Sequence, residues 1–178
     1  MISVLIPTQN SECVLVPTLA ALVPGSAEGL VREVVLADGG STDGTAGIAD
    51  AAGCEFRVLK GDRPTRLLAA AQGARGSWLL LLGPASVLEE GWTREAAKFI
   101  ESTERAGQAE RRAATFRLAI DDFGFTPRLK EFAASARLAI LGRTRPDQGL
   151  LIAKRFYESR HGKVGSAVSL RTRVVLPA

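Results

Sequence analysis

A short apolar run that ends in an aspartate and two glycines is the segment that most constrains the fold. Residues 34–36 form the run, Asp38 stands at its carboxyl end, and Gly39 and Gly40 leave space beside it. The Ser/Thr/Asp cluster at residues 41–43 has the composition of a helix start. Ligands of open α/β sheets bind at the carboxyl ends of strands. The segment therefore predicts one wall of a nucleotide site in an α/β sheet.

Strand-like and helix-like segments alternate in the first half of the chain. Apolar runs predict strands at residues 2–6, 31–37, 55–59 and 77–82. Helical spacing and helix-ending glycines predict helices at residues 12–23, 44–52 and 63–75. Such a β-α-β order predicts a parallel sheet with right-handed crossovers.

The second half is less regular and suits a mixed sheet that extends the first. It predicts helices at residues 89–105, 130–141 and 154–160, and strands at residues 113–120, 150–152 and 173–176. The linkers are too short to separate two domains. We therefore predict an α/β, Rossmann-like fold whose mixed, mainly parallel sheet is flanked by helices, in a single domain over residues 1–178.

Composition and cysteine count argue against several classes of protein. No apolar run approaches the roughly 20 residues that span a bilayer, and the N-terminus lacks the basic region of a signal peptide. We therefore expect a cytoplasmic protein. Cys13 and Cys54 belong to no CxxC pair, and His161 is the single histidine, so a Cys/His zinc site is not indicated.

Charge is distributed unevenly along the chain. Residues 1–100 carry a net charge of −3, and residues 101–178 carry +7. The basic part suits phosphates, an anionic membrane surface or nucleic acid, and it equally suits an arginine-rich solvated surface. Aromatic residues make up only 6% of the chain and none alternates with basic residues as a stacking platform, so nucleic acid is not an expected partner.

Two strand ends supply the candidate ligand-binding residues. Pro7 and Thr8 follow the first strand and Asp38 follows the second, so all three share one sheet edge. Asp38 can accept hydrogen bonds from a base N–H or from ribose hydroxyls, or it can cap its own turn. The backbone at residues 7–10 can hold a flat base or form a simple strand-to-helix turn. Neither segment is a GxGxxG or Walker sequence, so dinucleotide and P-loop binding are not indicated.

Four segments occur in an order and spacing that resemble those of a known enzyme family. They are residues 2–10 (ISVLIPTQN), 33–45 (EVVLADGGSTDGT), 74–82 (ARGSWLLLL) and 147–152 (DQGLLI). The chain resembles family-2 glycosyltransferases of the GT-A fold, and most of all a small bacterial subgroup of them. The resemblance implies a nucleoside diphosphate sugar as donor, usually of uridine or guanosine. It assigns nucleotide binding to residues 1–82 and the acceptor side to residues 83–178.

The resemblance also implies roles for residues of the donor site. Thr8 and Asp38 match family residues that contact the base and the ribose, and Pro7 and Gly40 lie on the same edge. Arg63 matches an arginine near the donor pyrophosphate, a role that suits its permanently charged fork. Arg63 can alternatively be a solvated charge in the first turn of a helix.

On the acceptor side, Asp147 matches an acidic residue of the family. An inverting transfer needs a base that takes the proton of the acceptor hydroxyl while the sugar carbon is attacked. The resemblance implies this catalytic role for Asp147. The alternative is a structural loop carboxylate paired with Arg143 or Arg145.

One family motif is degenerate in this chain. After the strand at residues 77–82 the family has Asp-x-Asp, whose carboxylates bind Mn²⁺ or Mg²⁺ across the donor phosphates. Residues 83–86 read Gly-Pro-Ala-Ser instead, so both carboxylates are absent and no metal ligand is predicted. In the helix after Arg63, Arg66 and Leu68 stand where the family often has Gln and Asn.

Three explanations account for this loss. The enzyme is metal-independent and uses Arg63 and Arg66 in place of the cation, or the protein is a catalytically inactive relative that binds a nucleotide or a partner protein. In the third, Glu89 or Glu90 binds a metal from a shifted loop, although these glutamates are better explained as first-turn acids of a helix. The predicted function is transfer of a sugar from a nucleoside diphosphate sugar to a small molecule or to a lipid at a membrane surface.

The basic segment at residues 128–145 generates a prediction about membranes. Its helical apolar face predicts that it rests on an anionic membrane carrying a lipid acceptor, peripheral to the inner membrane. We expect the protein to pellet with anionic liposomes at low salt and to be released at high salt. Neutral liposomes are the control, and pelleting that does not depend on salt or lipid charge contradicts the prediction.

Overall fold

The computed structural model describes residues 1–120 and 149–176 of the chain. The described strands are β1 (Ile2–Thr8), β2 (Val31–Asp38), β3 (Glu55–Val58), β4 (Trp78–Leu81), β5 (Val87–Leu88), β6 (Ala113–Ile120), β7 (Leu150–Ala153) and β8 (Val168–Leu176). The described helices are α1 (Glu12–Ala20), α2 (Val23–Ala27), α3 (Thr45–Ala51), α4 (Arg63–Gln72), α5 (Trp92–Arg105) and α6 (Lys154–Ser159).

The eight strands form one sheet in the order β3-β2-β1-β4-β7-β6-β8-β5. The first four in this order are parallel to one another. β7 is antiparallel to both β4 and β6, β5 is antiparallel to β8, and β6 is parallel to β8. The predicted α/β fold with a mixed, mainly parallel sheet is therefore confirmed. Because β1 to β4 are parallel, their carboxyl ends share one edge of the sheet.

Helices cover both faces of the parallel half of the sheet. All seven residues of β1 are buried. Val4 and Ile6 belong to one hydrophobic cluster, which includes residues of α1, α3 and α5. Leu5 belongs to a second cluster with residues of α4. Strands covered on both faces are apolar without alternation, which is why β4 is a continuous apolar run and β1 is apolar except at Ser3 and Thr8.

Apart from shifts at the ends of helices and strands, three elements differ from the sequence prediction. The helix expected at residues 12–23 is divided into α1 and α2, and Pro24 lies at the start of α2, where its missing N–H is tolerated. β5 was not predicted, because its two residues acquire strand geometry only by pairing with β8. β8 is longer than expected for the same reason, since its pairing with β6 begins at Val168. The helix predicted at residues 130–141 lies outside the described residues.

Within the described residues, no helix combines the length and the apolar character that crossing a bilayer would need. α5, at 14 residues, is longer than α1 or α4 and is amphipathic, with Phe99 and Ile100 buried against the sheet.

Gly76 and Gly47 form a matched pair for testing how the start of β4 packs on β1. A Cβ on Gly76 would lie 2.6 Å from the backbone nitrogen of Ser3, whereas a Cβ on Gly47 would meet nothing within 4 Å. We expect Gly76→Ala to lower the free energy of unfolding by about 1–3 kcal/mol, since the backbone of β1 must shift. Gly47→Ala, in the helix α3, should raise it by about 0.5–1 kcal/mol. Urea denaturation of both variants measures the difference. Equal stabilities would contradict the close packing of Gly76 on Ser3.

Candidate functional site

The ends of β1 and β2 lie side by side at the carboxyl edge of the sheet. Thr8 is the register partner of Asp38, and the N–H of Gly39 donates to the carbonyl of Thr8 over 2.9 Å. Pro7, Thr8, Asp38 and Gly40, which the sequence predicted to share a site, therefore lie on the same edge. We call this group of residues the β1–β2 corner.

The carboxylate of Asp38 is the centre of the corner. It is completely buried. Its Oδ1 accepts hydrogen bonds from the hydroxyls of Thr8 (2.8 Å) and Ser41 (2.5 Å). Its Oδ2 accepts from the backbone N–H groups of Gly40 and Ser41, both at 2.7 Å. These four bonds use the four lone-pair sites that a carboxylate offers. Of the two roles considered for Asp38, the hydrogen bonds therefore match the capping of its own turn.

These bonds also determine the charge state of Asp38. Burial acts to raise the pKa of its carboxyl group, but the hydrogen bonds from Ser41, Thr8 and Gly40 outweigh burial and hold the pKa below its ordinary value. Asp38 is therefore ionised at neutral pH. The corner carries a fixed negative charge that is stabilised by uncharged hydrogen-bond donors.

The loops that follow β1 and β2 interlock around this corner. The N–H of Asn10 donates to Ser41 Oγ over 2.8 Å, and the N–H of Thr42 donates to Asn10 Oδ1 over 2.9 Å. Asn10 itself has a φ of 50°, a left-handed conformation that asparagine tolerates better than most residues. Gly40, with a φ of 95°, supplies the other unusual turn. The sequence places Gly40 beside Asp38 but does not indicate the contribution of Asn10 to this turn.

A second pair of contacts joins α1 to the start of α3. The N–H of Glu12 donates to Asp43 Oδ2 over 3.0 Å, and the N–H of Gly44 donates to Glu12 Oε2 over 2.8 Å. Asp43 also accepts from the N–H of Thr45 over 3.1 Å. The helix start predicted from residues 41–43 is therefore present, and Asp43 satisfies donors there, although Gly44 occupies the N-cap position of α3 itself.

The N-terminus of α4 lies at this edge of the sheet, beside the ends of β1 and β2. β3 ends beside β2, with Val58 opposite Asp38, and the N–H of Leu59 donates to the carbonyl of Asp38 over 2.8 Å. Asp62 then caps α4 by accepting from the N–H of Thr65 over 3.1 Å. Arg63 is the first residue of α4 and is half-buried. This position brings the N-terminal turn of α4 to the same edge as the corner.

The turn after β4 does not offer a metal site. Thr18 Oγ1 donates to the carbonyl of Pro84 over 2.9 Å, and the N–H of Gly83 donates to the buried Ser86 Oγ over 3.1 Å. The carbonyls of Gly83 and Pro84 and the hydroxyl of Ser86 thus accept hydrogen bonds within the protein, and no oxygen of this turn belongs to a carboxylate. Mn²⁺ and Mg²⁺ prefer several oxygen ligands, including carboxylates, so the residues of the turn do not fit the cation that the family uses.

Other acidic residues of the described chain do not replace the missing pair. Glu89 forms a two-point ion pair with Arg173, at 3.0 Å from Nε and 2.9 Å from Nη2. Glu89 and Glu90 precede α5, which begins at Trp92, so the expectation that they occupy its first turn is wrong. Across residues 1–120 and 149–176, no cluster of three or more His, Cys, Asp or Glu side chains is arranged to hold a metal.

The predicted catalytic residue, Asp147, lies outside the described residues. The described chain resumes at Gly149, immediately before β7, which pairs with β4. A Cβ on Gly149 would lie 3.0 Å from Leu82 and 2.9 Å from Phe116. Gly149 therefore packs against Leu82, the residue that follows β4.

The sheet and its carboxyl edge define the chain as a protein of the GT-A class. The family model described as Glycosyl transferase family 2 matches residues 3–148. The chain belongs to this family. No protein of curated function matches it significantly.

Solved structures of other proteins share the fold. S. aureus TarS (residues 1–349, in complex with UDP-GlcNAc) superposes with a TM-score of 0.67 and 14% identity, over 99% of this chain and 58% of the TarS chain. Glucosyl-3-phosphoglycerate synthase from Mycobacterium tuberculosis, in complex with phosphoglyceric acid, gives a TM-score of 0.60 and 15% identity, over 100% of this chain and 70% of that one. The chain thus spans less than two thirds of the TarS fragment, and identities this low show the fold alone.

Replacing Asp38 tests its role as the centre of the corner. We expect Asp38→Asn to lower the free energy of unfolding at pH 7 by about 1.5–3 kcal/mol, because an amide cannot accept all four hydrogen bonds. Since the folded pKa lies below the ordinary value of 3.8, the ionised group adds stability above that value and loses it as the pH falls through the lowered pKa. The wild type should therefore lose more stability in acid than Asp38→Asn.

Urea denaturation at pH 7 and in acid measures both effects. Asp50→Asn is the control, because Asp50 is exposed on α3. If Asp38→Asn and Asp50→Asn have the same stability, the carboxylate does not organise the corner.

Proposed function

We propose that the protein transfers a sugar from a nucleoside diphosphate sugar to an acceptor, and that donor binding does not require a divalent cation after β4. The observation that carries the proposal is the complete β1–β2 corner in a member of glycosyl transferase family 2. The lack of carboxylates at residues 83–86 supports the second half of it. We further propose that residues 1–82 bind the nucleotide and that residues 83–178 form the acceptor side of a single domain.

The nature of the donor is supported by what the structural neighbours bind. Structures of TarS contain UDP or UDP-GlcNAc, and one of glucosyl-3-phosphoglycerate synthase contains UDP-glucose with Mn²⁺ and phosphoglyceric acid. In this chain we assign the base and ribose to the backbone of Pro7 and Thr8 and to the space above Gly40. Asp38 positions that backbone rather than offering a free lone pair.

The donor diphosphate is assigned to the N-terminal turn of α4. The first N–H groups of a helix carry a partial positive charge that favours anions. Arg63 adds a full positive charge at the same turn, and arginine suits the geometry of phosphate oxygens. A divalent cation in related enzymes supplies charge to the leaving diphosphate; here we assign this stabilisation to arginine side chains.

Asp147 is proposed as the catalytic base. Its carboxylate would take the proton of the acceptor hydroxyl while the hydroxyl oxygen bonds to the anomeric carbon and the nucleoside diphosphate leaves with the electrons of the broken C–O bond. This assignment rests on the sequence resemblance. For the acceptor we propose a small molecule or a lipid at the cytoplasmic face of the membrane, supported by the net charge of +7 over residues 101–178.

Calorimetric titration of UDP, GDP and their sugars tests the donor and the metal together. We expect one class of nucleotide to bind in EDTA with an affinity within about threefold of that in Mn²⁺, a difference of less than about 0.7 kcal/mol. Binding that appears only with Mn²⁺ would overturn metal independence. If no nucleotide binds, the assignment of the donor site is overturned.

Turnover of the bound sugar nucleotide tests Asp147. We expect Asp147→Asn to reduce the release of nucleoside diphosphate by about 10²–10⁴-fold while leaving the affinity for the donor unchanged, because a general base acts on the acceptor. Asp50→Asn is the matched control. Donor binding by the wild type without turnover, across small-molecule and lipid acceptors, would instead identify a non-catalytic relative.

A further inference from the structure

The side chain of Arg66 occupies the space that a side chain at position 39 would need. A Cβ built on Gly39 would lie 2.3 Å from Arg66 Nη1 and 2.8 Å from its Cζ, both closer than real contacts allow. Gly39 does not have a positive φ, so its backbone conformation does not require glycine. The lack of a side chain at position 39 leaves space, and the guanidinium of Arg66 occupies that space.

Arg66 is buried to an unusual degree for an arginine. Only 8% of it is exposed. Its Nη1 reaches the carbonyl of Gly61 over a long 3.4 Å, and its Nε is buried without a hydrogen-bond partner among the residues that the structure describes. A guanidinium has five N–H donors, and a buried charge is costly unless it is paired.

Nearby acidic groups do not balance the buried charge of Arg66. Asp62, on the preceding turn, is exposed and uses its carboxylate to accept from Thr65. The hydrogen bonds from Thr65 are the main cause of the lowered pKa of Asp62, and the attraction of Arg66 is the smallest contribution. Within the described part of the chain, no carboxylate forms a salt bridge with Arg66. The described residues therefore leave the guanidinium with unsatisfied donors, which a ligand with acceptor oxygens would satisfy.

The location of Arg66 decides what kind of ligand group it can bind. Gly39 directly follows Asp38 and donates to the carbonyl of Thr8, so the guanidinium lies against the β1–β2 corner at the carboxyl edge of the sheet. The side-chain oxygen of Gln9 is 3.1 Å from the same built Cβ. Arginine offers donors and no acceptor, so the ligand group must present acceptor oxygens.

From this geometry we infer that Gly39 and Arg66 form a cationic subsite for acceptor oxygens of the donor nucleotide. Those oxygens belong to the diphosphate or to a base carbonyl, since both present only acceptors to a guanidinium. The subsite supplies positive charge in a site whose Asp-x-Asp carboxylates are replaced by residues 83–86. The inference rests on the proposed donor specificity and adds to it that binding depends on Arg66 and not on a cation.

Calorimetry in EDTA tests the inference with Arg66→Gln, which removes the charge but keeps a polar side chain. The probes are UDP, GDP, inorganic pyrophosphate, uridine and guanosine. We expect Arg66→Gln to weaken the binding of the preferred nucleotide by about 10–100-fold, the range of a charge-assisted hydrogen bond. Arg94→Gln is the matched control, because Arg94 is exposed on α5; it should bind as the wild type does.

The smaller probes identify the source of the oxygens. Weaker binding of pyrophosphate assigns Arg66 to the diphosphate, whereas weaker binding of a nucleoside with unchanged pyrophosphate assigns it to the base. Unchanged affinity for every probe in a folded Arg66→Gln protein overturns the inference and leaves the proposed function standing. If the wild type binds no probe, the proposed function and the inference fall together.

Gly39→Ala provides a second test that does not depend on Arg66→Gln being stable. The added Cβ displaces the guanidinium, so the same probe should bind more weakly. Urea denaturation of Gly39→Ala, Arg66→Gln and the double variant should show coupling, since alanine has room once the guanidinium is gone. Wild-type affinity in Gly39→Ala, or strictly additive effects of the two substitutions on stability, would show that the pair does not form the subsite.

Discussion

The carboxylate of Asp38 is the interaction on which the geometry of the carboxyl edge depends. It ties the end of β1, through Thr8, to the turn that follows β2, through Gly40 and Ser41. A buried ionised carboxylate is tolerated only because all of its lone-pair sites are occupied. The same bonds that stabilise the charge fix the backbone on which a ligand would rest, so the structure of the corner and its electrostatics have one cause.

The residues around the β1–β2 corner determine the charge of the rest of the carboxyl edge. In place of the Asp-x-Asp expected after β4, this chain has a turn in which the carbonyl of Pro84 accepts from Thr18 and the hydroxyl of Ser86 accepts from Gly83. On the other side, Arg66 lies in the gap left by Gly39. The edge has therefore lost acceptors that attract a metal and has a buried guanidinium in contact with the corner. Both changes favour an anionic or acceptor-rich ligand held directly by the protein.

Much of the fold could be predicted because local patterns determine it. The apolar runs at β1, β2 and β4 and the capped helices between them identified a parallel α/β sheet, and β6 was predicted with its observed bounds. The errors in the strands occurred where structure depends on distant partners. β5 exists through two residues that pair with β8, and the length of β8 depends on β6. Neither pairing leaves a periodic signal in the strand itself.

The sequence by itself determined the family, the strands that bear the site and the loss of the metal-binding carboxylates. Each of these depends on which residue types stand at which positions. Only the tertiary structure decided which groups Asp38 and Arg66 contact. Thr8 and Asp38 are 30 residues apart, and Gly39 meets Arg66 only because β3 and α4 fold back beside β2. Hydrogen-bond saturation and steric complementarity are properties of atoms brought together by strand pairing, and one-dimensional spacing does not contain them.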